Sequence, residues 1–253
     1  MLIHDRNQVI QFGKFLPAIK ADEVYMITVF IRKKYLSEEG RKVYSKWLDR
    51  RSNVLGRRIF VGSDELVDQV RQIPIPANMP QHMIAVYQGV HTLSTVSAYH
   101  SFMAEMEQQE ERVMKHLMKG QAPDYSPFIS MDDRLMDHIQ KAKCYKKYID
   151  IDMDVPDGSM LSEFIEEIRG PLNEHSIMHM VVNTRSGCHL LIDKEQYNTV
   201  KKQVGLYKII VSQNERVTRR CGKGEVAFME SGFIPLPGTF QCGFPVTFEA
   251  FNL

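Results

Sequence analysis

Long hydrophobic runs are missing from this sequence. The most apolar stretches, such as Met26-Ile27-Thr28-Val29-Phe30-Ile31, stop far short of the ~20 residues that a membrane helix requires, so no membrane partner is expected. Paired cysteines are missing too. The four present, Cys144, Cys188, Cys221 and Cys242, form no Cys-x-x-Cys motif that would hold zinc or run redox exchange, and they are read as reduced thiols. The opening residues, Met1-Leu2-Ile3-His4-Asp5-Arg6-Asn7, bring charge before an apolar stretch can form; no secretory signal is read, and the expected compartment is the cytoplasm. Repeats and low-complexity tracts are absent. With 43% hydrophobic and 25% charged residues over 253 positions, the composition is that of a globular chain with ample material for a core. A net charge is nearly absent as well: 32 Lys and Arg against 31 Asp and Glu leave +1, which argues neither for nor against a polyanionic partner.

What the total hides is a local asymmetry. Between Ile31 and Arg58, ten basic residues face three acidic ones, so this stretch carries +7 and the rest of the chain −6. Its middle has helical period, with Val43, Tyr44, Trp47 and Leu48 on one face and Arg41, Lys42, Lys46, Asp49 and Arg50 on the other. Lys42, Lys46 and Arg50 are therefore candidates for contact with a nucleic-acid backbone. The alternative is a solvated face that happens to be basic.

The pattern along the chain predicts an α+β protein: an N-terminal, mostly helical α/β unit over residues 1–125, packed on a mixed sheet with helices over residues 126–253, the two forming one composite domain. Val24 to Ile31 reads as a buried strand and Leu66 to Ile73 as a helix ended by Pro74. His82 to Lys119 reads as one long methionine-rich helix, whose glutamates (Glu105, Glu107, Glu110, Glu111) are taken as an exposed face. The loop at Gly120 to Pro127 is the candidate boundary. Beyond it come a helix from Asp132 to Lys143, a strand from Lys147 to Met153, a helix from Ser159 to Arg169, and a hairpin of Ile177 to Asn183 with Cys188 to Ile192. A helix from Lys194 to Gly205, strands at Tyr207 to Ser212 and Val226 to Glu230, and short strands with tight turns complete the pattern.

Chemistry concentrates in the second half. In Tyr148-Ile149-Asp150-Ile151-Asp152-Met153-Asp154, alternation puts three carboxylates on one face and three apolar side chains on the other. Like charges so close repel, and a divalent cation resolves the conflict. Thr184-Arg185-Ser186-Gly187-Cys188-His189 is a turn that delivers His189 onto an apolar strand beside the aspartates, with Ser186 and Gly187 small enough to leave room for a triphosphate. His175 and His179, four apart beside a strand run, lie too far from one another to share one metal and are read as structural.

Together with Phe233-Ile234-Pro235-Leu236-Pro237-Gly238-Thr239, these strings, in this order, resemble the archaeo-eukaryotic primase superfamily, the catalytic primase/polymerase fold, over about residues 145 to 246. The resemblance implies an RRM-like catalytic sheet and a metal-dependent nucleotidyltransferase that initiates or extends a nucleic-acid chain on a single-stranded DNA template. Asp150 and Asp152 match the first metal-binding pair, and His189 the histidine that contacts the incoming nucleotide, with Arg185 and Ser186 beside it on the triphosphate. The family usually has a further aspartate on the strand before the Pro-Gly segment; here Glu230 is the nearest acid, followed in rank by Asp154 and Glu225. Two Mg²⁺ or Mn²⁺ ions are expected on Asp150, Asp152 and Glu230, and template contacts on the 31–58 ridge and on Arg216, Arg219, Arg220 and Lys223. A helicase, where one is needed, would act in trans. The rival expectation is a non-catalytic, nucleic-acid-binding relative of the same fold. A replication-initiator nuclease is disfavoured, because no His-x-His occurs.

Overall fold

The computed structural model describes residues 2–43, 45, 53–77 and 79–252. Tyr44, Lys46, Trp47, Leu48, Asp49, Arg50 and Arg51, the heart of the expected basic helix, lie outside them. The fold is α+β, with two sheets in which every pairing among the described residues is antiparallel. The expected mixed pairing in the second half is therefore corrected to an antiparallel one.

The first sheet is built on β1 (Glu23–Ile31), a strand buried along almost its whole length, as its Val, Ile and aromatic content requires. β2 (Val54–Phe60) flanks it on one side and β3 (Ile84–Gly89) on the other. The two-residue β4 (Leu93–Ser94) pairs with the start of β1. Strands from the far end of the chain, β9 (Phe233–Pro235), β10 (Phe240–Gln241) and β11 (Phe244–Pro245), extend this sheet beside β3. The first sheet thus draws on both sides of the 120–127 loop. Around it lie α1 (Arg6–Gly13), whose first turn is capped by the Asp5 carboxylate, α2 (Glu38–Val43) and α3 (Leu66–Arg71).

Residues 82–94 do not continue into the long helix expected there. The run Ile84-Ala85-Val86-Tyr87 is buried on both faces as β3, and the helix α4 (Thr95–Met118) begins only where Ser94 caps it by accepting from the Ser97 amide. The short α5 (Ser126–Ile129) and then α6 (Met131–Lys141) turn back along α4.

The second sheet has the order β12-β6-β7-β5-β8, from β5 (Tyr148–Asp154), β6 (His179–Thr184), β7 (Gly187–Asp193), β8 (Glu225–Met229) and β12 (Thr247–Phe251). Its sequence runs β5, α7 (Gly158–Glu174), β6, β7, α8 (Lys194–Val204), α9 (Leu206–Cys221), β8, with β7 and β5 adjacent in the middle. The segment Tyr207 to Ser212 is thus helical rather than a strand. Its β-branched residues Ile209, Ile210 and Val211 suggested extension, but Leu206, Ile210, Gln213 and Val217 recur at helical spacing and are the buried positions of α9.

The two faces of this sheet have different neighbours. Ile151, Met153, Leu190 and Ile192 pack under Phe164, Ile168, Val204, Ile210 and Val217 of the covering helices. Tyr148, Met180, Val182 and Leu191, on the other face, join the core of the first sheet. That second face also carries the aspartates, so the fold aims them toward the first sheet.

Candidate active site

Cross-strand register assembles the site. In β5, Asp152 lies opposite His189 of β7 and Asp150 opposite Leu191, so both carboxylates and the imidazole stand on one face. The ring of His189 reaches diagonally: its Nδ1 lies 2.9 Å from Asp150 Oδ1, while its Nε2 lies 3.8 Å from Asp152 Oδ1. Asp150 has no exposed side-chain surface and His189 almost none, whereas 39% of the Asp152 side chain is open. Asp152 thus forms the accessible end of the set. Burial works against protonation of His189, but the hydrogen bond and charge of Asp150, with Asp152 behind it, outweigh that and lift the imidazole above its ordinary value. Burial also raises the Asp152 carboxyl, opposed by His189 and reinforced by Asp150 and Asp154.

Asp152 and His189 open on a cleft of about 330 Å³ whose far wall comes from the end of β1 and from β3: Phe30, Arg32, Lys34 and Tyr87. Arg32 stands 5.4 Å from the centroid of the Tyr87 ring, and its Nε is buried without a hydrogen-bond partner. Lys34 crosses the cleft, its Nζ 2.8 Å from Asp154 Oδ2. The composition of the stretch 31–58 drew attention to both cations, but as part of an outer ridge. The overlooked signal was their position directly after a strand buried along almost its whole length, whose continuation must emerge at the rim of the core.

The other expected residues divide. Ser186 lines the cleft, but Arg185 does not. Its backbone N–H donates to Gln241 Oε1 at 2.8 Å, its guanidinium donates to the Cys242 carbonyl, and it lines a neighbouring groove of about 750 Å³ together with Lys223 and Ser186. Gly187 is small for a different reason from the one expected: a Cβ there would stand 1.7 Å from the Met153 carbonyl oxygen, so its role is close strand approach. Glu230 follows the end of β8, exposed to solvent, and does not line the cleft; Met229 is the residue opposite Asp150. Glu225 lies opposite Asp154, and the two share a shallow depression with Asp152. Arg219 and Arg220 are exposed at the end of α9, on the helix-covered face, and Arg216 is engaged by Glu163 and Glu167. Lys42 is exposed on α2, while Lys46 and Arg50 are outside the described residues.

Among the described residues, no group of three or more His, Cys, Asp or Glu side chains could hold a metal ion by itself. Two adjacent carboxylates are nevertheless the donor set that Mg²⁺ uses when substrate phosphates supply further oxygens. Asp150 fits such a use, because its Oδ2 is buried with no hydrogen-bond partner and retains its accepting capacity. No helix among the described residues is long and apolar enough to cross a membrane. No family model, curated protein or solved structure matches the chain.

Proposed function

We propose that this protein is a metal-dependent nucleotidyltransferase of the primase/polymerase type, synthesising or extending a nucleic-acid chain from nucleoside triphosphates on a single-stranded DNA template. The observation that carries this reading is that Asp152 and His189 open on a cleft whose opposite wall presents Arg32 and Lys34, with the buried Asp150 behind them bonded to His189. Carboxylates facing cations across a gap accommodate a polyphosphate with its counter-ion, since charge-assisted bonds to phosphate oxygens are the strongest of their kind. The strand–helix–strand–strand–helix–helix–strand order that builds β5 to β8 of the second sheet and the Leu236-Pro237-Gly238-Thr239 segment support the primase-like assignment.

In this reading Asp150 and Asp152 hold the Mg²⁺ or Mn²⁺ ions. Bound there, the ions neutralise charge on the phosphates and favour ionisation of the attacking hydroxyl. His189, its Nδ1 engaged by Asp150, directs Nε2 toward the open cleft and a phosphate oxygen. Arg32 and Lys34 bind the remaining phosphate charge, and Phe30 and Tyr87 offer aromatic surface to a base. The template follows the adjoining groove past Lys34, Arg185 and Lys223, and a helicase acts in trans where duplex must be opened.

A second reading, a nucleic-acid-binding relative without catalysis, draws on the exposure of Glu230 away from the aspartate pair. Incubation with primed and unprimed single-stranded templates, labelled nucleotides and Mg²⁺ or Mn²⁺ separates the two. Product that disappears with chelator is expected; template binding without product would favour the second reading.

A further inference from the structure

Gln241 stands where the two sheets meet. It is the residue through which β10 pairs with β3, opposite Ala85, and it is 4% exposed. A primary amide so deeply buried costs free energy unless both of its ends find partners. Both do. Oε1 accepts the backbone N–H of Arg185 at 2.8 Å, and Nε2 donates to the Tyr87 hydroxyl at 3.1 Å. The first bond settles which end of the amide is which, since a backbone N–H can only donate.

The two partners belong to different sheets and to opposite walls of the cleft. Arg185 lies in the turn between β6 and β7, the hairpin that carries Ser186 and His189. Tyr87 lies on β3, with the Arg32 guanidinium 5.4 Å from its ring centroid and the Phe30 ring edge-on to it at 5.3 Å. Gln241 itself lines the cleft together with Ser186, His189, Tyr87 and Arg32. Its two bonds span 56 and 154 positions of sequence, so neither supports local structure. The Arg185 guanidinium donates to the Cys242 carbonyl as well, a bond that anchors the same turn without reaching Tyr87.

We propose that Gln241 is a positioning residue for the triphosphate: it fixes the turn bearing Ser186 and His189 against Tyr87 and, through the Tyr87 ring, against Arg32, so that both walls meet one polyphosphate at a preset span. This role rests on the triphosphate reading of the cleft. Holding the two walls in place before a ligand arrives lowers the ordering cost of binding. The effect belongs to the nucleotide and not to the metal, because Gln241 is bonded to neither Asp150 nor Asp152.

Gln241→Met tests it, since methionine keeps the length and nearly the volume of the side chain while removing both bonds. Calorimetry with a non-hydrolysable triphosphate and Mn²⁺ should show affinity reduced by about threefold to tenfold, the worth of a net hydrogen bond, while binding of Mn²⁺ alone stays unchanged. Hydrogen exchange at the Arg185 amide should quicken by about tenfold as the turn loosens. Combined with Arg32→Ala, the loss of triphosphate affinity should fall short of the product of the two separate losses, because Gln241 acts through Arg32. Tyr87→Phe, which keeps the ring and removes only the hydroxyl, should reproduce part of the effect. Mn²⁺ affinity that falls in step with triphosphate affinity, or losses that multiply fully with Arg32→Ala, would make Gln241 a general support of the fold and overturn the proposal. In a wild-type chain that binds triphosphate, unchanged affinity or an unchanged Arg185 amide in Gln241→Met would overturn the positioning role alone; a wild-type chain that binds no triphosphate would overturn the nucleotidyltransferase reading on which it rests.

Discussion

His189 stands opposite Asp152 in the strand register, yet it bonds diagonally to Asp150, with Nδ1 2.9 Å from Oδ1. The diagonal ties the ring to the buried carboxylate and leaves the more exposed one open to the cleft. One Asp150 oxygen thus orients His189, and the other is buried without a hydrogen-bond partner; in the proposed reading that second oxygen takes a cation.

The division between Asp150 and Asp152 is testable with the metal alone. Replacing both by Ala should abolish Mn²⁺ binding measured by calorimetry and leave the circular dichroism spectrum intact. Among the acids ranked for a third position, Asp154 shares the cleft with Asp152 whereas Glu230 does not. Asp154→Asn should accordingly weaken Mn²⁺ binding by about tenfold, a loss near 1.4 kcal/mol, and Glu230→Gln should leave it unchanged. Loss of binding in Glu230→Gln alone would reverse that ranking.

Arg32 is held against Tyr87 with its Nε buried and unpartnered, so its charge is aimed before any ligand arrives. A hydrogen bond to a charged group contributes roughly 1.5–3 kcal/mol, so Arg32→Ala should weaken nucleoside triphosphate binding by roughly tenfold to a hundredfold. Arg185→Ala should change it far less, because that guanidinium is engaged by the Cys242 carbonyl and lines the adjoining groove. Titration of both variants with a non-hydrolysable triphosphate distinguishes the two positions; equal losses would mean that the cleft assignment is wrong.

Alternation along residues 148–154 and the hairpin at 184–189 were legible in the sequence because both depend on neighbours only a few residues apart. The same local signals led to errors where tertiary packing dominates. Ile84 to Gly89 joined the methionine-rich helix in the reading because nothing local marks the change of period at Ser94. Ile209-Ile210-Val211 has the β-branched content of a strand, yet Leu206, Ile210, Gln213 and Val217 are buried at helical spacing, a pattern that only the packing of this helix on the sheet selects. The return of residues 233–245 to β3, some 150 positions earlier, leaves no local trace at all. Arg32 and Lys34 were found by charge, but their partners across the cleft depend on the same long-range closure.

Gly187 connects the hairpin to the site. A Cβ at this position would press on the backbone of Met153 and Asp154, which cannot move aside as a flexible side chain could. Gly187→Ala must therefore push β7 away from β5, at a cost of about 1–3 kcal/mol as in other overpacked cores. Because His189 lies two residues further on the same face, the imidazole should shift with the strand. The expected outcome is a lower melting temperature together with loss of Mn²⁺-dependent synthesis, whereas Ser186→Ala keeps the melting temperature. A stable and active Gly187→Ala variant would show that the strands tolerate the displacement.

His91 provides the pH dependence. It is 3% exposed, its Nδ1 has no hydrogen-bond partner, and Gly232 lies so close that a Cβ there would be 2.2 Å from the ring. Burial pushes its imidazole down to about 4; Lys143 and Lys146 act in the same direction and Asp150 against it. In the unfolded chain His91 takes up a proton near pH 6.5, whereas in the folded chain it stays neutral until about pH 4. Between those values the unfolded state binds more protons, so the stability His91 confers is complete above about pH 6.5 and is lost as pH falls toward 4, by about 3 kcal/mol in total. His179, also lowered by burial, acts in the same sense, and His189, which is raised, acts oppositely. His91→Gln removes one titrating group and should flatten the decline in melting temperature over that window, leaving the remainder to the other histidines and the carboxylates. Nuclear magnetic resonance of the ring gives the direct reading: the His91 imidazole should be neutral at about pH 5.5, where an unperturbed histidine is largely charged. A ring that titrates near 6.5 in the folded protein would mean that water reaches His91 and that its burial does not govern acid stability.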